Sequence, residues 1–489
     1  MTTAATRATT STTPVSAASK PRAMDRRLQA ALARLQAAHH AHPMPSLAER
    51  QQALRQLLRF VQDHQEAICE AISADYGHRS RHETLLMEIM PVITDIKATL
   101  KHLREWMKPQ ERAVDRRLFG LGRNTVTPQP LGVVGVIVPW NFPINLSLLP
   151  LVAILAAGNR AMVKFSEHSR RLSRLVREQL PAYLPADQVA VFDETGGVGE
   201  AFSRLPFDHL LFTGSGTTGR AVMRAAAANL TPVTLELGGK SPAVVCDDYP
   251  LRTAAERILH VKCLNAGQVC TTVDHVYLPR AEVARFVALA QDIVPRRYAS
   301  IASPDYTAII SAAAFDRLVA GMDEARARGA RLVPLHTGPA LDRRRRKIGL
   351  HLLLDAPDDI ALMAQEIFGP ILPVIGYDTL DEVIAHINRG SRPLALYPFS
   401  HRRAHVQKLI ERVMSGGVTV NDALMHVGQH DLPFGGVGES GMGHYHGREG
   451  FENFSKLRPV FHQARVSATR LLAPPYGQLA ERAVRFLLR

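Results

Sequence analysis

The chain has 489 residues, enough for two or three domains of roughly 100–200 residues each and too many for one small binding module. Hydrophobic residues make up 46% and charged residues 21%, and no stretch approaches the roughly 18 unbroken apolar residues of a bilayer span, which argues against a membrane-spanning protein. The charge of +14, from 59 Lys and Arg against 45 Asp and Glu, favours anionic ligands, but it is dispersed. Its one dense block, Arg343–Lys347, has no interleaved aromatics and no zinc-finger or helix-turn-helix pattern beside it, so it reads as a solvated loop and nucleic acid is not expected as a partner.

Taken in chain order, the first 22 residues are rich in Ala, Thr and Ser, carry no acid and lack the apolar core of a secretory signal; a disordered tail is expected over 1–24. Residues 25–108 read as helices, with Leu28, Leu32 and Leu35 at helical spacing, then a capping box of Ser46 and Glu49 ahead of Leu54, Leu57, Leu58 and Val61. From Val126 the pattern turns to short β-branched runs such as "GVVGVIVPW", "AMVKF" and "HLLFTGS", alternating with helical stretches at Ser169–Leu180 and Thr218–Leu230. Strands alternating with helices imply βαβ units and a mainly parallel sheet. A second α/β segment follows over about 240–430, with helices near Arg252–Cys263, Arg280–Val294 and Ala312–Arg328 and strands at "DHVYLP" and "PILPVIGY". Residues 432–447, "LPFGGVGESGMGHYHG", hold so many glycines that they read as mostly loop. At the C-terminus, Leu479, Ala480, Ala483, Val484, Leu487 and Leu488 share a helical face, expected to dock on the protein itself or a partner subunit, with peripheral membrane contact as the alternative.

The four cysteines (Cys69, Cys246, Cys263, Cys270) offer neither a disulfide framework nor a paired metal spacing, which fits a reducing cytoplasm. His444 and His446 lack the further ligands of a zinc site, so no metal is expected. "FTGSGTTG" follows a strand, precedes a helix and spells Gly214-x-Gly216-x-x-Gly219, a cradle in which backbone N–H groups and the helix dipole favour a phosphate. A dinucleotide fingerprint of this kind calls for an acid about 20 positions later on the ribose. Glu236 stands near that distance, but it also suits a base working with Cys270, and it cannot do both. A thiol that attacks a carbonyl needs deprotonation, donors for the oxyanion and a base to activate water. Cys270, Asn141 and Glu236 can fill these needs, and a cradled dinucleotide can accept hydride.

The blocks "PWNFP", "MVKFSEHS", "FTGSGTTG", "LELGGKSP", "NAGQVC", "QEIFGP" and "LPFGGVGESGMG" occur in that order. With them, the chain after about residue 25 resembles the NAD(P)-dependent aldehyde dehydrogenase superfamily. "NLTPVTLELGGKSP" and "GMGHYHGREGFENFSKLRPV" look most like its class 3 branch, which includes coniferyl aldehyde dehydrogenases.

The resemblance implies an α/β fold: a Rossmann-like dinucleotide-binding domain (25–111 and 131–238), an α/β catalytic domain (239–430), a small β oligomerisation extension (112–130 and 456–468) that makes a homodimer, and a C-terminal tail (469–489). It implies that Cys270 attacks the aldehyde, that Asn141 and the Cys270 N–H hold the oxyanion, and that Glu236 activates the water that hydrolyses the thioester. On the cofactor side it implies Lys164 at the adenosine ribose, Gly214, Ser215 and Gly219 in the pyrophosphate turn, Glu366 at the nicotinamide ribose, and Trp140 and Phe368 near the nicotinamide. Glu167, an acid close to Lys164, would repel a 2′-phosphate, which points to NAD over NADP. The substrate expected is an aromatic aldehyde such as coniferyl aldehyde, or a medium- to long-chain aliphatic one. A CoA-acylating relative and a non-catalytic binding protein on the same scaffold are the alternatives.

Overall fold

A computed structural model describes residues 23–194, 197–465, 467 and 473–488. The N-terminal tail lies outside these residues except for Ala23 and Met24, which open the first helix, Ala23–Ala41. Next comes the helix Leu47–Asp63, with the Ser46–Glu49 capping box in place. Its buried Leu54, Leu57, Phe60 and Val61 pack on the helix Met90–Trp106 and the apolar helix Asn145–Ala157. Asn145–Ala157 is buried along nearly its whole length and has no polar stripe to give to water, as its run of Leu, Val, Ile and Ala requires.

The first sheet has six strands in the order Val189–Phe192, Arg160–Lys164, Val133–Ile137, His209–Thr213, Val233–Glu236 and Gly441–Met442. The first five are parallel and the last is antiparallel. Chain order reverses between Val133–Ile137 and His209–Thr213, and open α/β sheets bind ligands outside the carboxyl ends of their strands at such a switch point. Asn141 follows the first of these two strands and Gly214 the second. Lys164 and Glu236 are themselves the last residues of their strands.

A second sheet of seven strands runs Arg331–Pro334, His351–Leu354, Ile371–Tyr377, His275–Pro279, Pro242–Val245, Ala395–Phe399 and Gly417–Val418, parallel except at its first pair. Cys270 and Glu366 lie in the loops that enter two of its strands. A third, antiparallel sheet joins Gln110–Arg112, Arg123–Pro130 and Ser455–His462, with Ser455–His462 at its edge.

One sequence expectation changes, and two are made more specific. The basic block is not wholly solvated: Lys347 is buried, and the Arg346 guanidinium donates to the backbone oxygens Ile309 O and Tyr76 O. The glycine-rich 432–447 segment is mostly loop, but Gly441–Met442 adds a strand beside Leu235 and Glu236. The C-terminal helix, Gln478–Leu487, does not complete the subunit's own core: Ala480 is buried, while Leu479, Val484, Phe486, Leu487 and Leu488 are exposed.

One buried ion pair ties the helical preface to the first sheet. Arg79 and Glu88 are fully buried and meet at 2.7 Å, and the second Glu88 oxygen accepts from Ile144 N and Asn145 N at 2.7 and 3.0 Å, at the start of the apolar helix. Removing one partner of such a pair leaves a buried charge unmatched, at a cost of roughly 3–5 kcal/mol. Glu88→Ala is therefore expected to lower stability by about that amount, read as the shift in denaturant midpoint. A loss nearer the scale of a surface pair, about 0–1 kcal/mol, would contradict this placement.

Candidate active site

The carboxyl ends of the first sheet and the entering loops of the second enclose a cavity of about 660 Å³, within the roughly 300–1,000 Å³ of small-molecule sites. Asn141, Glu236 and Cys270 all line it, as do Trp140, Gly214, Ser215, Glu366 and Phe368. Lys164, Glu167 and Gly219 do not. Gly219 sits a turn into the helix Gly216–Ala227, where a Cβ would come within 2.6 Å of Leu237, so its part is to let that helix pack closely on the strand.

Asn141 is held by its backbone. Its carbonyl accepts from Tyr76 Oη at 3.0 Å, Arg79 Nη1 at 3.0 Å and Asn265 Nδ2 at 3.3 Å. Its side-chain amide donates only to Gln268 O, at 3.4 Å. That length is at the weak limit for N–H···O, so the amide can turn to a stronger acceptor.

The Cys270 loop is built around a reversal of backbone handedness. Asn265, Ala266 and Gly267 take φ of 50°, 51° and 73°, and a Cβ on Gly267 would lie 2.4 Å from Gly369 O, so the loop packs directly against the segment that follows Glu366 and Phe368. Gln268 fastens it, donating to Asn265 O and Ala308 O and accepting from Ile310 N. Burial, and then the Glu366 and Glu236 carboxyl groups, push the Cys270 thiol up to about 12. The free site therefore holds a protonated thiol.

Glu236 is 2% exposed, and no described side chain hydrogen-bonds to either carboxyl oxygen. Burial raises it well above the usual carboxylate range, opposed only by the Gly436 backbone N–H. Its backbone, in contrast, is fixed: its carbonyl accepts from Gly214 N at 2.9 Å and it pairs with Gly441. It lines the same cavity as Cys270, and its carboxyl group helps hold the thiol up.

Burial, with Asp274 adding to it, raises Glu366 to about 8. A Cβ on Gly238 would lie 1.9 Å from Glu366 Oε2, so only glycine admits this carboxyl group. The loop is staked down by Lys240, whose ammonium donates to Asp274 Oδ1, Leu362 O and Gln365 O, by Asp274 Oδ2, which accepts from Ile367 N, and by Arg317, which donates to Ile367 O. Phe368 takes φ of 48° and meets the Trp140 ring edge-on at 5.4 Å.

On the opposite wall Ser215 caps the helix Gly216–Ala227, its Oγ accepting from Thr218 N at 3.3 Å. The helix N-terminus thus faces the cavity. Among the described residues, four buried oxygens in that cavity have no side-chain hydrogen-bond partner: Thr213 Oγ1, both of Glu236 and Oε1 of Glu366. Each unmatched polar atom costs about 1–3 kcal/mol, and a dinucleotide, with its phosphates at the helix and its hydroxyls and amide beyond, fits that pattern.

Sequence reasoning missed the residues that act by holding others: Tyr76, Arg79 and Glu88 behind Asn141, and Lys240, Asp274 and Arg317 around Glu366. Asn265 and Gln268 did carry a signal, since both stand in the "NAGQVC" block. It also missed Glu194, which meets Lys164 directly, while Glu167 is largely exposed and takes a bond from Ser166 Oγ at 3.1 Å.

The raised carboxyl of Glu366 gives a signed pH dependence. Between its ordinary value near 4.5 and about 8, the folded state keeps a proton that the unfolded state has released, so this group's contribution to stability is lost as pH rises through that window. The melting temperature of Glu366→Gln relative to wild type is expected to climb from about pH 5 to about pH 8. A flat difference would contradict a neutral buried carboxyl group.

The aldehyde dehydrogenase family profile matches residues 4–460. The chain is 49% identical over 458 residues, 94% of its length and 95% of the relative's, to a Pseudomonas aeruginosa protein named probable coniferyl aldehyde dehydrogenase. It is 42% identical over 457 residues, 92% of its length and 94% of the relative's, to the coniferyl aldehyde dehydrogenase of a Pseudomonas species. Among solved structures, the substrate-bound state of Staphylococcus aureus AldH superposes with a TM-score of 0.89 at 31% identity, covering 94% of this chain and 99% of that one. Because the match runs through nearly the whole fold and not through the motifs alone, this chain belongs to the aldehyde dehydrogenase family.

Proposed function

We propose that the protein oxidises an aromatic aldehyde of the coniferyl type to its carboxylic acid, with NAD as acceptor and Cys270, Glu236 and Asn141 as the catalytic residues. One observation carries this: a thiol, an unpaired buried carboxyl group and a redirectable amide share one cavity with a capped helix N-terminus.

After the Cys270 thiol gives up its proton to solvent, the sulfur bonds to the aldehyde carbon and the carbonyl π electrons move onto the oxygen. Asn141 Nδ2 leaves its long contact with Gln268 O for the oxyanion, beside the Cys270 backbone N–H; a preorganised donor of this kind contributes roughly 10²–10³ in rate. NAD, when bound, supplies the hydride acceptor. Ser215 and the helix it caps would hold its phosphates, Lys164 and Glu366 its two riboses, with Trp140 and Phe368 beside its nicotinamide. Glu236, in its ionised form, then takes a proton from water, the hydroxide displaces the Cys270 thiolate from the thioester, and the acid leaves. A CoA-acylating enzyme has no use for a water-activating base, and a non-catalytic scaffold none for the nucleophile.

The aromatic assignment follows the relatives named for coniferyl aldehyde; medium- and long-chain aliphatic aldehydes are the second class to assay. We also propose residues 25–111 and 131–238 as the cofactor domain, 239–430 as the catalytic domain, and 112–130 with 456–468 as the homodimer contact. The last is supported by the free edge of Ser455–His462 and the exposed Phe461. No described helix is long and apolar enough to cross a membrane; a cytoplasmic site of action is part of the proposal.

A panel of aldehydes with NAD and NADP, read at the reduced nicotinamide absorbance, is expected to give highest kcat/KM for coniferyl aldehyde with NAD. Cys270→Ala is expected to lose at least about 10³-fold; full turnover by that variant, or turnover that needs CoA, would overturn the reading. In the free enzyme the raised thiol makes iodoacetamide labelling of Cys270 climb about tenfold per unit between about pH 7 and 9. A plateau below pH 8 would contradict the protonated resting thiol.

A further inference from the structure

Three side chains that no step of the oxidation uses meet at the far end of the second sheet. The parallel strands Pro242–Val245 and Ala395–Phe399 lie side by side, with Val245 opposite Phe399. Cys246 leaves the first of them, its N–H donating to Phe399 O at 2.9 Å, and Asp248 follows in the turn. His405 stands in the first turn of the helix Arg403–Arg412, which the second strand feeds. A thiol sulfur, a carboxylate oxygen and an imidazole nitrogen thereby come within 4.8 Å of one another. They sit at the carboxyl ends of parallel strands, where such sheets take ligands. Cys270, by contrast, lies in the loop that enters the neighbouring strand His275–Pro279 from the opposite end.

The carboxylate is already aimed. Asp248 Oδ2 accepts from His401 N at 2.7 Å and Arg402 N at 2.9 Å, while Oδ1 accepts from Ser400 Oγ at 2.8 Å and keeps a second lone pair. His405 Nδ1 stands 3.7 Å from Asp248 Oδ1, too far for a hydrogen bond, and among the described residues this buried nitrogen has no hydrogen-bond partner. A charge-assisted contact between imidazole and carboxylate closes to roughly 2.7–2.9 Å. Two ligands of a tetrahedral zinc ion, each about 2.0–2.2 Å from the metal, stand roughly 3.3–3.5 Å apart, and the gap is nearer to that. Cys246 is 2% exposed and the Asp248 side chain 10%, whereas the His405 side chain is 27% exposed, so the imidazole edge offers an ion its way in and a water its place as fourth ligand.

We infer that Cys246, Asp248 and His405 form a zinc site separate from the catalytic cavity. As the ion binds, the Cys246 thiol gives its proton to solvent and a sulfur–zinc bond forms. Thiolate and carboxylate then balance the charge of the ion, which suits a poorly solvated position. Sulfur with imidazole favours zinc over magnesium or calcium, which take oxygen ligands. The ion ties the end of Pro242–Val245 to the helix Arg403–Arg412. Sequence spacing hid the site, because its ligands come from two distant segments of chain.

The test is titration of cobalt(II), a coloured stand-in for zinc, into chelator-treated full-length protein. Wild type is compared with Cys270→Ala, which removes the catalytic thiol as a competing ligand, and with Cys246→Ser and His405→Ala each added to Cys270→Ala. Melting curves with and without zinc chloride accompany each titration. Cys270→Ala is expected to bind one cobalt per chain with thiolate-to-cobalt charge-transfer absorption, to lose that absorption when zinc is added, and to melt higher with zinc. Adding Cys246→Ser abolishes the absorption, and adding His405→Ala raises the cobalt dissociation constant at least about tenfold. If the Cys246→Ser protein does not fold, the His405→Ala protein decides alone. No thiolate absorption in Cys270→Ala, absorption that survives Cys246→Ser, or an unchanged affinity in His405→Ala overturns the inference. Magnesium chloride that raises the melting temperature as far as zinc does overturns it as well.

Discussion

The carbonyl oxygen of Asn141 accepts from three side chains that come from three places in the chain: Tyr76 and Arg79 from the helical preface, and Asn265 from the loop that carries Cys270. Through that one atom the first sheet's switch point, the N-terminal helices and the second sheet's entering loop are fixed relative to one another. Glu88 extends the clamp by neutralising Arg79 and receiving the first N–H groups of the apolar helix. The Asn141 amide is thereby left as the loosely held part of a rigidly held residue. A group that must donate to a transient charge is best kept in place by bonds that do not use its donor.

The electrostatics run against the same grain. Three ionisable groups, Cys270, Glu236 and Glu366, are drawn into one poorly solvated space, and each is pushed towards its neutral form. No described side chain hydrogen-bonds to either Glu236 oxygen. Such a site is costly to the folded state as pH rises, and it keeps the thiol protonated and unreactive until substrate arrives.

Much of the fold was legible because its signals are local. Short β-branched runs ending in "PWNFP", "MVKF", "FTGS" and "LELGG" announce parallel strands whose carboxyl ends carry function, and the structure brings Asn141, Glu236 and Cys270 to one cavity. The supporting residues were not legible. Arg79, Glu83 and Glu88 look in sequence like charges on a solvated helix, and only tertiary packing buries them. Glu194 gave no signal at all, because its meeting with Lys164 depends on the register of two strands separated by about thirty residues of chain. The C-terminal helix was legible as an amphipathic element but not by what it meets: of the two expected surfaces, its own subunit receives Ala480, and the rest of the apolar stripe stays exposed in the single chain.

The account turns on a covalent bond between Cys270 and the acyl group, released by a base at Glu236. Peptide mass spectrometry of Glu236→Gln, quenched in acid after mixing with coniferyl aldehyde and NAD, tests it most directly. The account predicts an acyl mass added to the peptide containing Cys270, at close to one group per subunit, after a single burst of reduced cofactor. Steady turnover by that variant with the cysteine peptide unmodified would contradict it.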